Sequence, residues 1–173
     1  FVGPLLQQFK WTSAQIGVAY SIRMLSNMVE NPVAGWIVDR WGPRVLALTF
    51  TALPGVGFIL LSFIPNPEIG LIWVYVCYGG FIAAGMNMGL YNASWAAANQ
   101  WFVRRRAMAM GIIAVGTGLG GSVLVPASQA IINALGWQTA AIIIGVGTFV
   151  VCSPTALLFR PHPPERYGMR PDN

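Results

Sequence analysis

The chain contains 173 residues, of which 55% are hydrophobic and only 9% are charged, and its net charge is +5. An average soluble domain carries about 25% charged residues, so this composition excludes a water-soluble globular domain. High hydrophobicity also excludes a disordered chain. We therefore predict an integral membrane protein surrounded by the lipid bilayer. The excess of Lys and Arg is expected in loops next to the bilayer, and no nucleic-acid partner is indicated.

Five apolar segments are each long enough for a membrane helix, which needs about 20 residues. The predicted spans are 12–38, 45–65, 70–100, 106–133 and 138–160, and residues 161–173 are predicted to begin a cytoplasmic loop. Thr12 is a candidate N-cap for the first span. The last two spans come from one charge-free stretch, 107–159. As a single helix this stretch would be about 80 Å long, so we predict a turn at 133–138, with Gly136 as the C-cap.

No strand pattern is present, so the predicted fold class is an all-α, multi-span helical bundle. Basic residues follow the first, third and fifth spans, whereas the other side carries only Lys10. This asymmetry predicts that the start of the chain is outside and its end is in the cytoplasm. The expected location is the plasma (inner) membrane.

The first span carries polar residues where a membrane helix is normally apolar. Tyr20, Arg23, Asn27 and Glu30 fall on one helical face. A charge at the bilayer centre costs at least about 2.5–3.5 kcal/mol. Arg23 and Glu30 are about 10 Å apart along the helix axis, so we predict that Asn27 bridges them. Two interpretations remain open: a structural network between helices, or one wall of a substrate pathway.

A second polar face lies on the third span. Asn87, Tyr91 and Ser94 are spaced i, i+4, i+7, and Asn92 and Trp95 flank them. In hydrocarbon such side chains need hydrogen-bond partners. They either link helices or contact substrate, and we include Asn87, Tyr91, Asn92 and Trp95 with the first-span residues as pathway candidates.

Pairs of small residues are spaced for close helix contact. Gly85 with Gly89, and Gly116 with Gly120, follow this pattern and are predicted to pack against neighbouring helices. The Gly-x-Gly-x-x-Gly match at 116–121 lies inside an apolar run, where a dinucleotide site is not expected. We find no catalytic constellation, metal-ligand spacing or phosphate loop, so no enzyme activity, metal or cofactor is predicted.

The segment GWIVDRWGPR, residues 35–44, carries a specific motif. It resembles the loop between the second and third helices of the major facilitator superfamily, with Gly35, Asp39, Arg40, Gly42 and Arg44 at matching positions. The pair Pro43–Arg44, the segment WFVRRRAMAMGI at 101–112 and the closing PPERYGMRPDN are similar to the branch of monocarboxylate transporters and oxalate–formate exchangers. Thr117 stands where drug exporters of the superfamily have a proline, which disfavours a drug–proton antiporter.

The resemblance implies an N-terminal half: helices two to six of twelve, with most of the first helix and the C-terminal half missing. It implies a secondary active transporter of small organic anions, either mono- or dicarboxylates, that works by alternating access through proton symport or exchange. Alternatives are a sensor or scaffold that transports nothing, and a carrier of a non-anionic solute. In the family the motif is a gating latch.

The motif also makes physical sense at the end of a helix. A carboxylate at a helix C-terminus is disfavoured by the helix dipole. Asp39 is therefore expected to pair with Arg40 and Arg44. Gly42 would allow the tight turn, and Gly35 would allow close packing.

Overall fold

The computed structural model describes residues 8–64 and 67–159. Within these residues the chain forms five long helices and no strand. We number them α1 (Ser13–Trp41), α2 (Pro43–Ser62), α3 (67–101), α4 (Arg106–Leu135) and α5 (Trp137–Thr155), the last followed by a 3₁₀ turn at Ala156–Leu158. The predicted loop 161–173 and the last residue of the predicted span 138–160 lie outside the described residues.

Local sequence signals set the helix ends. Thr12 caps α1 by accepting a hydrogen bond from the Gln15 backbone N–H at 3.3 Å, while the Gln15 side chain accepts one from Thr12 N–H at 2.8 Å. Gly42 (φ 83°) ends α1, and Gly136 (φ 82°) separates α4 from α5. A positive φ is strained for residues with a Cβ, so glycine suits both turns. The second turn lies inside the predicted 133–138.

The helix bounds differ from the predicted spans by a few residues. The helix α1 continues past residue 38 to Trp41, because no proline or glycine lies between residue 38 and Gly42 to end it. The helix α2 starts at Pro43 and has a turn at Thr51–Ala52, next to Pro54, which has no N–H to offer. The predicted end of this span, residue 65, is outside the described part.

Glycines bring α2 against two other helices. Gly55 of α2 and Gly145 of α5 face each other so closely that a Cβ on either would lie 2.8 Å from the carbonyl oxygen of the other. On α3, a Cβ at Gly85 would lie 2.2 Å from Pro54 Cδ, and one at Gly89 would lie 2.5 Å from Thr51 N. Helices α2, α3 and α5 are therefore in backbone-level contact.

The helix α4 lies at the periphery. It contacts α5 and the end of α3, yet its most apolar stretch has no buried residue. A Cβ added to Gly116 or Gly120 would meet no described atom within 4 Å. The predicted packing role of these two glycines is therefore not realised between the described helices.

Four of the five helices are long and apolar enough to cross a membrane, and α1 does not meet that criterion. Its hydropathy is lowered by the polar face predicted from sequence. Yet α1 lies alongside α3 with the same direction. The Tyr75 hydroxyl donates to Gln15 O at 2.7 Å near its start, and Asn92 donates to Asn31 Oδ1 at 3.1 Å near its end. The two helices thus stay in contact over 16 residues of α1, or about 24 Å of rise.

Candidate functional site

The partners of the polar face of α1 come from α3. The Arg23 guanidinium donates from Nη1 to the Tyr78 hydroxyl at 3.3 Å, and its Cζ lies 6.0 Å from the Tyr78 ring centroid. The Tyr20 ring packs edge-on against Tyr78 at 5.4 Å. Among the described residues no carboxylate forms an ion pair with Arg23. The guanidinium is therefore hydrogen-bonded, but no carboxylate in the described chain neutralises its positive charge.

Glu30 belongs to a separate amide cluster. Asn87 donates from Nδ2 to Glu30 Oε2 at 2.9 Å and to Asn31 Oδ1 at 3.0 Å. Asn92 donates to the same Asn31 oxygen at 3.1 Å and to Asn87 Oδ1 at 3.5 Å. We call these four residues the Glu30 cluster. It satisfies polar groups that would otherwise be costly in an apolar surrounding.

Both sets of partners lie in unusual stretches of α3. Tyr78 lies in a π-helical segment, Tyr75–Ile82, and Asn87 and Asn92 lie in a second one, Gly85–Asn92. In a π-helix the backbone hydrogen bonds join residues i and i+5, where an α-helix joins i and i+4. Side chains are therefore shifted relative to an α-helix, and such segments are often found at functional sites. These two segments supply all the α3 side chains that bond to Arg23 and to the Glu30 cluster.

A cavity of about 510 Å³ opens beside Arg23 between α1, α3 and α4. Its size is within the range of small-molecule sites. Apolar side chains make up much of the wall, with a few polar groups among them. The lining residues are Arg23, Asn27, Met86, Asn87, Leu90, Tyr91, Ser94, Ile113 and Thr117.

The structure brings together most of the predicted pathway residues, though in two groups. Arg23, Asn27, Asn87 and Tyr91 line the cavity, whereas Glu30 and Asn92 lie in the Glu30 cluster. Trp95 does not line the cavity; its ring is 5.4 Å from the Tyr91 ring, and its buried Nε1 has no partner in the described part of the chain.

The expected bridge through Asn27 is wrong. Its Oδ1 is buried without a hydrogen-bond partner in the described residues. Arg23 turns instead to Tyr78, and Glu30 to Asn87. The reason is that Tyr78 and Asn87 of α3 lie within hydrogen-bond distance of Arg23 and Glu30, respectively.

Sequence reasoning missed three participants. Tyr78 and Asn31 bond directly to the candidate residues, and Thr117 adds a hydroxyl to the cavity wall, where it donates to Ile113 O at 2.9 Å. Asn31 is the next residue after Glu30 in the sequence, so the predicted polar set could have been extended to include it. Tyr78 and Thr117 lie in otherwise apolar runs, and only the helix pairing reveals them.

The motif at the end of α1 is arranged differently from the expectation. The Arg40 Cζ lies 5.8 Å from the Trp36 ring centroid and 5.6 Å from that of Trp41, a cation–π arrangement. Asp39 is exposed and forms no ion pair within the described chain, so its expected pairing with Arg40 and Arg44 is not formed. The aromatic rings hold the Arg40 guanidinium instead.

The two motif glycines also differ in role. Gly42 makes the turn between α1 and α2, with its positive φ. A Cβ at Gly35 would meet nothing within 4 Å in the described residues, so close packing does not explain that glycine here. Among the described residues, no group of three or more His, Cys, Asp or Glu is placed to hold a metal ion.

Comparison with known proteins identifies relatives over most of the chain. Residues 1–171 match the family model of the Major Facilitator Superfamily. Human monocarboxylate transporter 1 is 26% identical over 157 residues, which cover 91% of this chain and 30% of that protein. Human monocarboxylate transporter 11 is 27% identical, over 88% of this chain and 30% of its own length. An uncharacterised 38 kDa protein of Thermoproteus tenax is 28% identical, over 82% and 35%. The chain thus spans about a third of these relatives.

Proposed function

Because the chain belongs to the Major Facilitator Superfamily, an integral membrane family, we propose that it is the N-terminal half of a carrier that moves small carboxylates by alternating access. A substrate site near the bilayer midplane, shared between two repeats, is the usual design of such carriers. In this proposal a C-terminal half supplies the opposite wall of the cavity. The names of the human relatives, monocarboxylate transporters, favour a carboxylate substrate.

One observation carries the proposal: the Arg23 guanidinium lines a cavity and meets no counter-charge in the described chain. An unneutralised cation in an apolar region is costly. An anion that enters the cavity would remove this cost. A carboxylate suits the planar guanidinium, which can donate two parallel hydrogen bonds to it.

The cavity wall around Arg23 fits a small substrate. Tyr91 and Thr117 contribute hydroxyl groups, while Met86, Leu90 and Ile113 provide apolar contact for a short carbon chain. This combination matches a solute with one charged end and one apolar end. A proton symport or an exchange of two anions would drive the movement.

The membrane arrangement is part of the same proposal. We take α1 to span the bilayer, since it lies along α3 over about 24 Å with its polar face toward α3 and the cavity. The helix ends that carry arginines would then lie on the cytoplasmic side of the plasma membrane; these are Arg40, Arg44 and residues 104–106. The motif Gly35–Arg44 would act as the gate between helix ends.

The full-length carrier in proteoliposomes tests this function. Uptake of radiolabelled pyruvate, lactate, succinate and oxalate is compared with that of two neutral solutes, glycerol and glucose. We expect saturable uptake of at least one acid and none of the neutral solutes. Saturable uptake of only a neutral solute would reject the anion assignment, and no uptake of any solute would favour a sensor or scaffold.

Two variants then test the role of Arg23. The substitution Arg23→Lys keeps a positive charge without the planar fork, so weakened anion uptake is expected to remain. Arg23→Gln removes the charge and is expected to abolish uptake. Both must reach the membrane in normal amounts. Wild-type uptake by Arg23→Gln would show that the arginine only links helices.

A further inference from the structure

We propose that Tyr78 is a positioning residue for the anion site: its hydroxyl holds the Arg23 guanidinium in the orientation that binds a carboxylate. The inference rests on the proposed function, in which Arg23 binds the substrate. It adds a role for a side chain that lies outside the cavity wall. Tyr78 touches Arg23 and acts on the substrate only through it.

Two tyrosines contact or back the arginine without entering the substrate space. Arg23 Nη1 donates to the Tyr78 hydroxyl at 3.3 Å, and Arg23 Cζ lies 6.0 Å from the Tyr78 ring centroid. The Tyr20 ring packs edge-on against the Tyr78 ring, with 5.4 Å between their centroids. Arg23 lines the cavity, and neither tyrosine does. The arginine is therefore supported from outside the cavity, which stays open to a ligand.

The hydrogen bond to Tyr78 spares the donors that a carboxylate needs. A guanidinium carries five N–H donors in a planar fork. The bond from Nη1 is the one hydrogen bond that Arg23 makes within the described residues. The edge formed by Nε and Nη2 therefore keeps both of its donors. Such an edge fits one carboxylate through two parallel hydrogen bonds, so Tyr78 and the substrate can hold the same guanidinium together.

Close packing of α1 and α3 brings the Tyr78 hydroxyl within reach of Arg23. A Cβ at Gly79 would lie 2.8 Å from Ile22 Cγ2, so the helices leave no room for a larger residue there. Gly79 follows Tyr78 and Ile22 precedes Arg23, so this contact adjoins the hydrogen bond on both helices. Ile22 is β-branched and has little freedom to rotate in a helix. The position of the hydroxyl thus depends on this close approach.

The orientation of Arg23 sets the apparent affinity for the anion. Only a correctly oriented guanidinium binds the carboxylate with both donors, and the apparent dissociation constant rises as the oriented fraction falls. A hydrogen bond to a charged group corresponds to a population change of about tenfold or more. At saturating anion the bound substrate itself holds the guanidinium. Loss of the hydroxyl should therefore raise the half-saturation concentration and leave the maximal rate near that of the wild type.

The test is uptake by the full-length carrier in proteoliposomes, with the half-saturation concentration and the maximal rate measured separately. The probe is whichever of pyruvate, lactate, succinate and oxalate the wild type takes up fastest. Tyr78→Phe removes the hydroxyl and keeps the ring. We expect it to raise the half-saturation concentration by about tenfold.

The matched control is Tyr75→Phe. The Tyr75 hydroxyl comes from the same π-helical segment and also links α3 to α1, but it donates to Gln15 O at 2.7 Å and not to Arg23. This variant should keep the half-saturation concentration of the wild type. If Tyr78 only links helices, the two variants should behave alike.

Two further comparisons isolate the route through Arg23. Lysine has no planar fork to orient, so Tyr78→Phe should change the half-saturation concentration less in an Arg23→Lys carrier than in the wild type. Gly79→Ala covers a Tyr78→Phe protein that fails to insert. It should force α1 and α3 apart beside Tyr78 and raise the half-saturation concentration. Gly80→Ala should not, because its Cβ would meet no described atom within 4 Å.

Several results would overturn the inference. Tyr78→Phe with the half-saturation concentration of the wild type is one, and equal increases in Tyr78→Phe and Tyr75→Phe are another. Tighter anion binding by Tyr78→Phe would show that the hydroxyl competes with the substrate. An effect of Tyr78→Phe that is as large in the Arg23→Lys carrier would show that it does not act through the fork. These results leave anion uptake by the wild type intact, whereas a wild type that takes up none of the four acids rejects the proposed function itself, and the inference with it.

Discussion

The contact between α2 and α3 predicts a large effect from one added methyl group. In Gly85→Ala the new Cβ would lie 2.2 Å from Pro54 Cδ, 2.6 Å from Pro54 Cγ and 2.8 Å from Pro54 N. An ordinary contact between carbon atoms is about 3.5–4.0 Å. The proline ring is fixed to its backbone and cannot rotate away, so the two helices must separate by more than 1 Å, on the order of the missing distance.

Overpacking of this kind typically costs about 1–3 kcal/mol. We expect Gly85→Ala to lower the free energy of unfolding by about that amount, after any gain of up to about 1 kcal/mol from the better helix propensity of alanine. Gly80→Ala is the matched control. It lies on the same helix, and its Cβ would meet no described atom within 4 Å.

The assay is the thermal unfolding of purified full-length protein in detergent, followed by tryptophan fluorescence. Gly85→Ala should melt below the wild type, while Gly80→Ala should melt at or above it. Equal melting temperatures for the two variants would contradict the close approach of α2 and α3.

Two further predictions concern transport. Asp39→Asn should leave insertion intact but change the transport rate and the accessibility of a cysteine placed near Arg104. The reason is that an exposed carboxylate at a helix end is suited to change partners between conformations. Unchanged flux and unchanged cysteine labelling would mean that the motif only sets the membrane topology. The 173-residue chain alone should move no solute, because a midplane site is shared by two halves; saturable uptake by this chain in sealed vesicles would disprove that.

Much of the fold could be predicted because its signals are local. Thr12 and Gly136 act through their own backbone and near neighbours, so the capping pattern indicates where α1 begins and where α4 ends, whereas the predicted end of the first span at residue 38 falls short of Gly42. The polar faces of α1 and α3 could also be recognised from helical spacing. These features need no knowledge of which helices are neighbours.

The pairing between helices could not be predicted in the same way. The spacing predicts that Asn27 bridges two residues of its own helix, yet Arg23 and Glu30 both form their hydrogen bonds with residues of α3. Tyr78 and Asn87 lie in two π-helical segments of α3, which no spacing pattern in the sequence predicted. The Arg40 guanidinium lies against the rings of Trp36 and Trp41 and does not pair with the neighbouring Asp39 carboxylate. Each outcome depends on competition among several possible partners, which spacing does not rank.

The glycine contacts of α2 have a consequence for motion. Gly55 meets Gly145 of α5, while Pro54 and Thr51 meet Gly85 and Gly89 of α3. Any sliding by one residue would push a side chain into a gap that admits only hydrogen, so the relative register of these three helices is locked. The helix α4 has no such contact, since its most apolar stretch has no buried residue. The helix α1, in contrast, joins the packed core, because Ala34 lies in a buried cluster with Leu46 and Ala47 of α2. A change of shape in this half would therefore displace α4 more easily than the packed helices, and the Arg23 cavity, which Ile113 and Thr117 of α4 help to line, would change its width with that movement.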